Sequence, residues 1–437
     1  MATSKHREDT SPDTSRKRVC THRTGGSSSE DAGNTDKSLT IAILDSTPDS
    51  LIQPGQDVQS GQNIQPGQNI QPGQNIQPGQ DIQAGQDVQA RQDTQLVQDA
   101  LSLAELDREN QGPWEAEYSY EGEAYLHQQY EKCVKNPGHK KFIPVDKFCI
   151  DDLPEGYRDK DHVDYIKLVS DLTVRVTVTC VSDKRPVIAP DNGKPYPGYR
   201  VRGRRRITFG TGIVIFANVS KLSPDDTCEC KECRSSSTPE TNFAKIHVNT
   251  ATHVVFDELE AEHTTCHLFF DKGRKLDECG CVVKLAGMSY VHNDISKDTC
   301  EIIHFTHDLK LANKLEQMLE TMDSLGDTIF TKKPRHYKFK LSPTSMDKHP
   351  LLCIVSHPHG CSKEISLGRW ISADKWNNQL VSFYYTAATC PGSSGAHVFV
   401  MQDFTELDIP EPMSTEVHCG ASVSQPGHNY CNTESGW

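Results

Sequence analysis

The stretch YYTAATCPGSSGAHVFV, residues 384–400, decides how the rest of the chain is read. Two alternating, partly apolar runs flank a glycine-bounded pair of serines. Alternation with period two marks strands with one buried face, and glycine supplies the backbone freedom of a tight turn. GSSGA is therefore either a plain polar turn or a turn built to present a serine oxygen. The second reading needs company, because a serine hydroxyl is a poor nucleophile without a base and preorganised donors around it.

No Trp, Tyr or Phe occurs before Trp114, so a folded core belongs to the C-terminal three-quarters of the 437 residues. Residues 1–52 are rich in Ser, Thr, Asp and Lys, with one apolar island, LTIAILD (39–45), and read as disordered. Residues 53–94 repeat every six positions, from QPGQDV to QARQDT, with proline at the same place in four hexads. One apolar residue per hexad admits a short β-helix, but the Gln/Gly-rich composition favours a disordered spacer. Residues 95–163 form a partly helical connecting region. In it QLVQDALSLAELDR (95–108) places Leu96, Val97, Ala100, Leu103 and Leu106 on one helical face.

The folded part reads as a run of short strands from Asp164 onward. DYIKLVSDLTVRVTV (164–178) begins helically and then alternates, with Val174, Val176 and Val178 on one face and Arg175 and Thr177 on the other. RITFGTGIVIF (206–216), HVNTATHVVFD (247–257), CHLFFD (266–271), CVVKLAGMSYV (281–291) and CEIIHF (300–305) follow. After a helix expected near 309–322 come LLCIVSHP (351–358), EISLGRWI (364–371), LVSFYYTA (380–387), AHVFVM (396–401) and VHCGASV (417–423). Many short strands at close spacing predict an all-β sandwich or barrel pair with one helical insertion.

Four features could supply what Ser394 needs. Gly392 and Gly395 flank the serines, His253 ends a β-run, Asp308 follows in FTHDLKL, and Gly210-Thr211-Gly212 interrupts a strand ahead of the histidine. Taken together over residues 164–437, these resemble the trypsin-like (chymotrypsin-fold) serine peptidases, in the chain order His, Asp, Ser. IVSHPHGCSKEISLG (354–368) is similar to a hairpin of the intrinsically active bacterial members, and CPGSSGA (390–396) to the C-P-G-S-S-G-A-P block of a set of invertebrate proteins. The resemblance implies a two-barrel fold and hydrolysis of peptide bonds in a protein or peptide substrate, with no cofactor needed for catalysis. Ser394 would be the nucleophile and His253 the base. Asp308 would orient His253, with Asp294 or Asp298 as substitutes, since Asp308 also suits a helix N-cap. The amides of Gly392 and Ser394 would form the oxyanion hole, and Ala388 would line the specificity pocket. Ser393 stands where activated members carry an aspartate for a new amino terminus, which implies activity without zymogen cleavage. An inactive barrel pair used as a binding module is the alternative.

Cys228, Cys230 and Cys233 form a C-x-C-x-x-C knuckle suited to structural zinc, with Cys266, Cys279, Cys281 or His247 as a fourth ligand. Cys353, His357, His359 and Cys361 also have ligand-like spacing but read as a Pro/Gly turn. The basic run YRVRGRRR (199–206) reads as a solvated strand face, and a net charge of −14 argues against nucleic acid as a partner. The polar N-terminus lacks a secretory apolar run and no window has the length of a membrane span, so no membrane partner and a cytoplasmic or nuclear location are expected.

Overall fold

The alternating valines of residues 174–178 predict a strand, and in the computed structural model they form one, with Val174, Val176 and Val178 all fully buried. Each such side chain is worth about 1.5–3 kcal/mol on burial. The opposite face is not solvated as its composition predicts. Arg175 is fully buried too, paired with Glu123 and donating to the Gly360 carbonyl at 3.0 Å. A second layer of the molecule covers that face.

The structure describes residues 102–434 apart from 121, 124, 191–192, 219–226, 331–349, 376–379 and 402–415. The 1–52 segment, the 53–94 repeat and the start of the expected 95–108 helix lie outside the described residues. The order is α1 (102–110), β1 (Glu117–Ser119), α2 (Leu126–Glu131), β2 (Phe142–Pro144), α3 (Lys160–Leu172), β3 (Thr173–Val178) and β4 (Ile207–Asn218). Then come α4 (Lys231–Arg234), β5 (Ala244–Thr250), α5 (Glu258–Glu262), β6 (Thr264–Leu268), β7 (Val283–Ala286), β8 (Ser289–Asp294), β9 (Thr299–Thr306) and α6 (Leu309–Phe330). The chain finishes with β10 (Leu351–Ser356), β11 (Glu364–Lys375), β12 (Leu380–Tyr385), β13 (Val398–Val400), β14 (His418–Ala421) and β15 (Asn429–Glu434).

Two antiparallel sheets result. The first runs β7-β6-β3-β4-β5-β9-β8, and its two end strands are joined by residues 287–288, so the sheet curls on itself. The second runs β13-β10-β11-β12-β15-β14 and closes where the Val398 amide donates to Glu416 O at 3.1 Å and the His418 amide to Ala396 O at 2.7 Å. The fold is all-β, a two-barrel chymotrypsin-like arrangement in which helix α6 follows the first barrel in the chain and packs against α3 and β4. Residues before α3 lend a strand to each barrel: β1 pairs with β4 and β2 with β11.

Several elements differ from their sequence reading. Leu103 and Leu106 of α1 are 46% and 48% exposed, while Ala104 is buried, because the helix is held by polar contacts: Asp107 accepts from Arg206, and Arg108 pairs with Glu117. The basic run is no strand face. Tyr199–Val201 is a single helical turn, and Arg206 is buried with its guanidinium 3.9 Å from the Tyr118 ring centre. Helix α6 runs to Phe330, its buried Ala312, Leu315 and Ile329 on the core side. Strand β15 has no counterpart in the sequence reading, since NYCNTE alternates but carries few apolar residues. Among the described residues no helix is long and apolar enough to cross a membrane.

Candidate active site

The histidine is positioned by a turn and a second hairpin. After β5 the chain folds back, with the amides of Val254 and Val255 donating to Ala251 O at 3.0 and 3.1 Å. Asp298 lies in the β8–β9 turn with φ +60, a left-handed conformation that aspartate adopts more readily than most residues. From there Asp298 Oδ2 is 2.6 Å from His253 Nδ1, its Oδ1 accepts from the His253 amide at 3.0 Å, and its carbonyl accepts from the Thr252 amide at 3.1 Å. Three bonds to one two-residue stretch fix the imidazole's orientation and direct Nε2 away from the carboxylate.

Asp308, the first expectation for that role, is elsewhere. Its Oδ1 accepts from the amides of Lys310 and Leu311 at 3.1 and 3.0 Å, so it caps α6. A helix that starts at Leu309 uses the preceding aspartate to satisfy its own free amides. Asp294, the other substitute, also serves a turn, accepting from Ser296 and Lys297. Arg185 went unnoticed in the sequence. Fully buried, it pairs with both oxygens of Glu260 at 2.6 Å and donates to His253 O at 3.0 Å, so an ion pair braces the histidine turn from behind.

The serine turn is laid directly on this region. Thr211 N donates to Ser394 O at 2.8 Å, and a Cβ on Gly395 would fall 2.4 Å from Thr250 Oγ1 and 2.9 Å from the Ala251 amide. Gly392 has φ +93, and a Cβ there would meet His357 O at 2.6 Å, so only glycine fits. Ser393 is already seated, its Oγ 3.0 Å from Ser356 Oγ and accepting from the Cys390 amide at 3.1 Å. Ser394 and His253 are both fully buried, but no hydrogen bond joins them. His253 Nε2 has no partner, while Ser394 Oγ donates to Cys419 O at 3.4 Å and accepts from the Glu115 amide at 3.2 Å.

Glu115 occupies the space beside the serine. Its carbonyl accepts from the Gly392 amide at 2.7 Å, the donor expected for an oxyanion. Its carboxylate meets His418 Nε2 at 2.8 Å, accepts from Thr389 Oγ1 at 2.7 Å and pairs with Lys135. Burial opposes its ionisation, but Lys135 and His418 outweigh burial and hold the carboxyl well below the usual range. Burial also holds His418 below its ordinary pKa despite Glu115 beside it, and its Nδ1 lies 2.7 Å from the Tyr385 hydroxyl. Ala388 is buried among Cys133, Phe142 and Cys390, one residue away from the Thr389 side chain that faces the carboxylate. Sequence reasoning missed Thr389, His418 and Lys135, although Thr389 and His418 lie in stretches it had singled out.

The fourth side chain beside the cysteine knuckle comes from the residue just after β9. His307 Nε2 lies 3.1, 3.9 and 3.5 Å from the sulfurs of Cys228, Cys230 and Cys233. The four expected partners are committed elsewhere. Cys266 is in the core, Cys279 and Cys281 face Phe269 O, and His247 pairs with Glu301. All fifteen cysteines among the described residues are free thiols. His357 and Cys361 form a turn as expected, with His357 Nδ1 2.8 Å from Cys361 O, but His359 leaves it and joins Cys133, His139 and Cys390.

No protein-family profile matches the chain, and no curated protein does. Among solved structures it is similar to the Rv3671c protease from M. tuberculosis in its active form, with 15% identity and a TM-score of 0.29 over 62% of this chain and 78% of that one. The HtrA-type protease AlgW with a decapeptide is 11% identical, with a TM-score of 0.30 over 62% of this chain and 63% of that one. The serine endoprotease from Yersinia pestis is 9% identical, with a TM-score of 0.29 over 64% and 62%.

Proposed function

We propose that the chain is a serine endopeptidase in which Ser394 attacks a peptide carbonyl, His253 carries the proton and Asp298 orients His253. The carrying observation is the buried His253–Asp298 pair, 2.6 Å apart, set beside a serine turn whose Gly392 amide already holds a peptide carbonyl oxygen. With Nδ1–H donated to the carboxylate, Nε2 is left to accept the serine proton, which is the division of labour of a catalytic triad. The Ser394 hydroxyl, which donates to Cys419 O, must turn toward Nε2 for this. Catalysis uses no metal in this scheme. Because Ser393 is bonded within its own turn, the serine loop is formed without an incoming amino terminus, in keeping with activity that needs no ammonium-triggered rearrangement.

Zinc at Cys228, Cys230, Cys233 and His307 would be structural. Tetrahedral Zn–S and Zn–N bonds of about 2.3 and 2.0–2.1 Å place ligand atoms roughly 3.5–3.8 Å apart, and the four atoms here lie within 4.8 Å of one another. The site would tie the loop before β5 to the end of β9, the strand that follows Asp298.

An inactive binding module is the second reading, favoured by the missing Ser394–His253 hydrogen bond. Labelling with a fluorophosphonate separates the two. An active enzyme labels at Ser394, with labelling lost in Ser394→Ala and reduced at least about 1,000-fold in rate in His253→Ala. Equal labelling rates with and without His253 would leave a barrel pair with an unactivated serine.

A further inference from the structure

Residues 113–119 cross from the second barrel to the first, through an isolated bridge at Trp114 and strand β1 at Glu117–Ser119. Pro113 O accepts from the Ala421 amide at 2.8 Å, and Trp114 bridges Gly420 in antiparallel register. A Cβ on Gly420 would lie 1.9 Å from Pro113 O, so the bare backbone there is what admits the segment. The Trp114 ring packs against Tyr196 and His253, with centres 6.0 and 6.4 Å apart. Glu115 spans the serine turn, its amide on Ser394 Oγ and its carbonyl on Gly392, which brackets the Glu115 carbonyl carbon between nucleophile and oxyanion donor. Beyond it Glu117, Tyr118 and Ser119 pair with Phe209, Thr208 and Ile207 of β4. An added strand that buries one side chain in a pocket is how extended peptides are recognised.

Resting on the Ser394–His253 reading, we propose that the protein is its own first substrate: it cuts between Glu115 and Ala116, and its pocket selects glutamate. The pocket is built for a carboxylate. Thr389 donates a hydroxyl, His418 a ring N–H and Lys135 a positive charge, while Asn429 and Thr389 in turn hold Lys135 at 2.9 Å each. In the first step Ser394 Oγ bonds to the Glu115 carbonyl carbon as its proton passes to His253 Nε2, and the carbonyl oxygen takes the electron pair beside the Gly392 amide. The bond from Glu115 carbon to Ala116 nitrogen then breaks, and His253 returns the proton to that nitrogen. Water hydrolyses the ester, leaving Glu115 as the carboxyl end of 1–115 and Ala116 as a new amino terminus. Until that happens the segment excludes other chains. Afterwards the cleft is open to peptides cut after glutamate.

Intact-mass measurement of the full-length protein over time tests this. We expect fragments 1–115 and 116–437, formed at a first-order rate independent of protein concentration, because the substrate is tethered at high effective concentration. Ser394→Ala stays whole, and Glu115→Gln is cut about 100-fold more slowly, as expected when one partner of a buried charge pair is neutralised. Glu115→Lys, repelled by Lys135, leaves the cleft uncut but open, and its fluorophosphonate labelling reports on Ser394 separately. Labelling of Glu115→Lys with a wild type that stays whole, or is cut elsewhere, overturns self-cleavage and leaves the peptidase reading standing. Absence of both labelling and cutting overturns both.

A second cluster carries an independent inference. Cys133, His139, His359 and Cys390 are all buried, from three separate stretches, with their donor atoms within 4.8 Å of one another. Cys133 and Cys390 sulfurs are 3.5 Å apart, Cys390 Sγ is 3.5 Å from His139 Nε2, and His359 Nε2 has no hydrogen-bond partner. His359 Nδ1 meets the Glu117 carboxylate at 2.8 Å, the outer support typical of a metal-ligating histidine. We infer that these four hold a second structural zinc, pinning the serine turn through Cys390 to the segment that carries Lys135. Metal analysis of the full-length protein should find two zinc ions per chain, one lost in Cys133→Ser or His139→Asn and the other in Cys230→Ser. One zinc that only Cys230→Ser removes, with folded Cys133→Ser protein, would overturn it.

Discussion

Two buried histidine–carboxylate pairs, His253–Asp298 and His418–Glu115, are built differently. His253–Asp298 belongs wholly to the first barrel. The carboxylate reaches the imidazole and the backbone of one turn, and Arg185 and Glu260 brace that turn from behind. His418–Glu115 joins the second barrel to the segment that leads into β1 of the first sheet, with Lys135 as the balancing charge. The first pair is permanent, because breaking it means unmaking a hairpin. The second is separable by a cut after Glu115, which is held by Gly392 and through Pro113 by Ala421, while residues 117–119 stay paired with β4. In the proposed reading, the first design orients a base and the second recognises a substrate.

The largest expected effect tests the permanent pair. Asp298→Asn should slow cleavage about 10,000-fold without unfolding the protein, since its oxygen stays on the His253 amide and its NH2 then donates to Nδ1, which forces the wrong tautomer. Asp308→Asn should leave the rate within a few-fold, and equal losses in the two variants would erase the distinction between orienting residue and helix cap. Next comes the brace. Arg185→Met leaves Glu260 buried and uncompensated, at a cost of about 3–5 kcal/mol in denaturant-measured stability, and should slow catalysis by displacing the His253 turn.

His418→Leu acts on the separable pair. It should lower kcat/KM for peptides cut after glutamate about 100-fold, and leave fluorophosphonate labelling of Ser394 in the freed cleft much less affected. Comparable losses in both readouts would mean that His418 serves catalysis itself. Acidity distinguishes the pairs more gently. The Glu115 carboxyl is held below its ordinary value of 4.5 when docked, so docking gains stability from its charge above that pH and loses it as pH falls through the lowered value. In Ser394→Ala protein, hydrogen exchange of 112–118 should therefore rise below pH about 4.5, relative to the Glu115→Gln variant, which lacks the dependence. The smallest effect is Asp308→Ala, about 1 kcal/mol lost with the α6 cap and no change in cleavage.

Much of the frame was legible because it is local. Alternation in 173–178 and 207–218 follows from a two-residue repeat that one face of a sheet must satisfy. GSSGA between two strands fixed the serine turn, since Gly392 needs a left-handed φ that few residues adopt. Asp298 and Asp308 were harder to tell apart, as each is an aspartate beside a strand end, and only pairing of β8 with β9 brings one of them under His253. The Cys228–Cys233 knuckle was visible from spacing, but His307 was not, because nothing in sequence links it to the loop before β5.

By itself, then, the sequence determined many of the strands and the glycine-bounded serine turn, both properties of short stretches. Tertiary structure alone decided which carboxylate supports His253, that Cys133, His139 and His359 converge on Cys390, and that Glu115 meets Thr389, Lys135 and His418. These are meetings between residues far apart in the chain. They arise when two closed barrels set their facing loops against each other, and no local pattern encodes them.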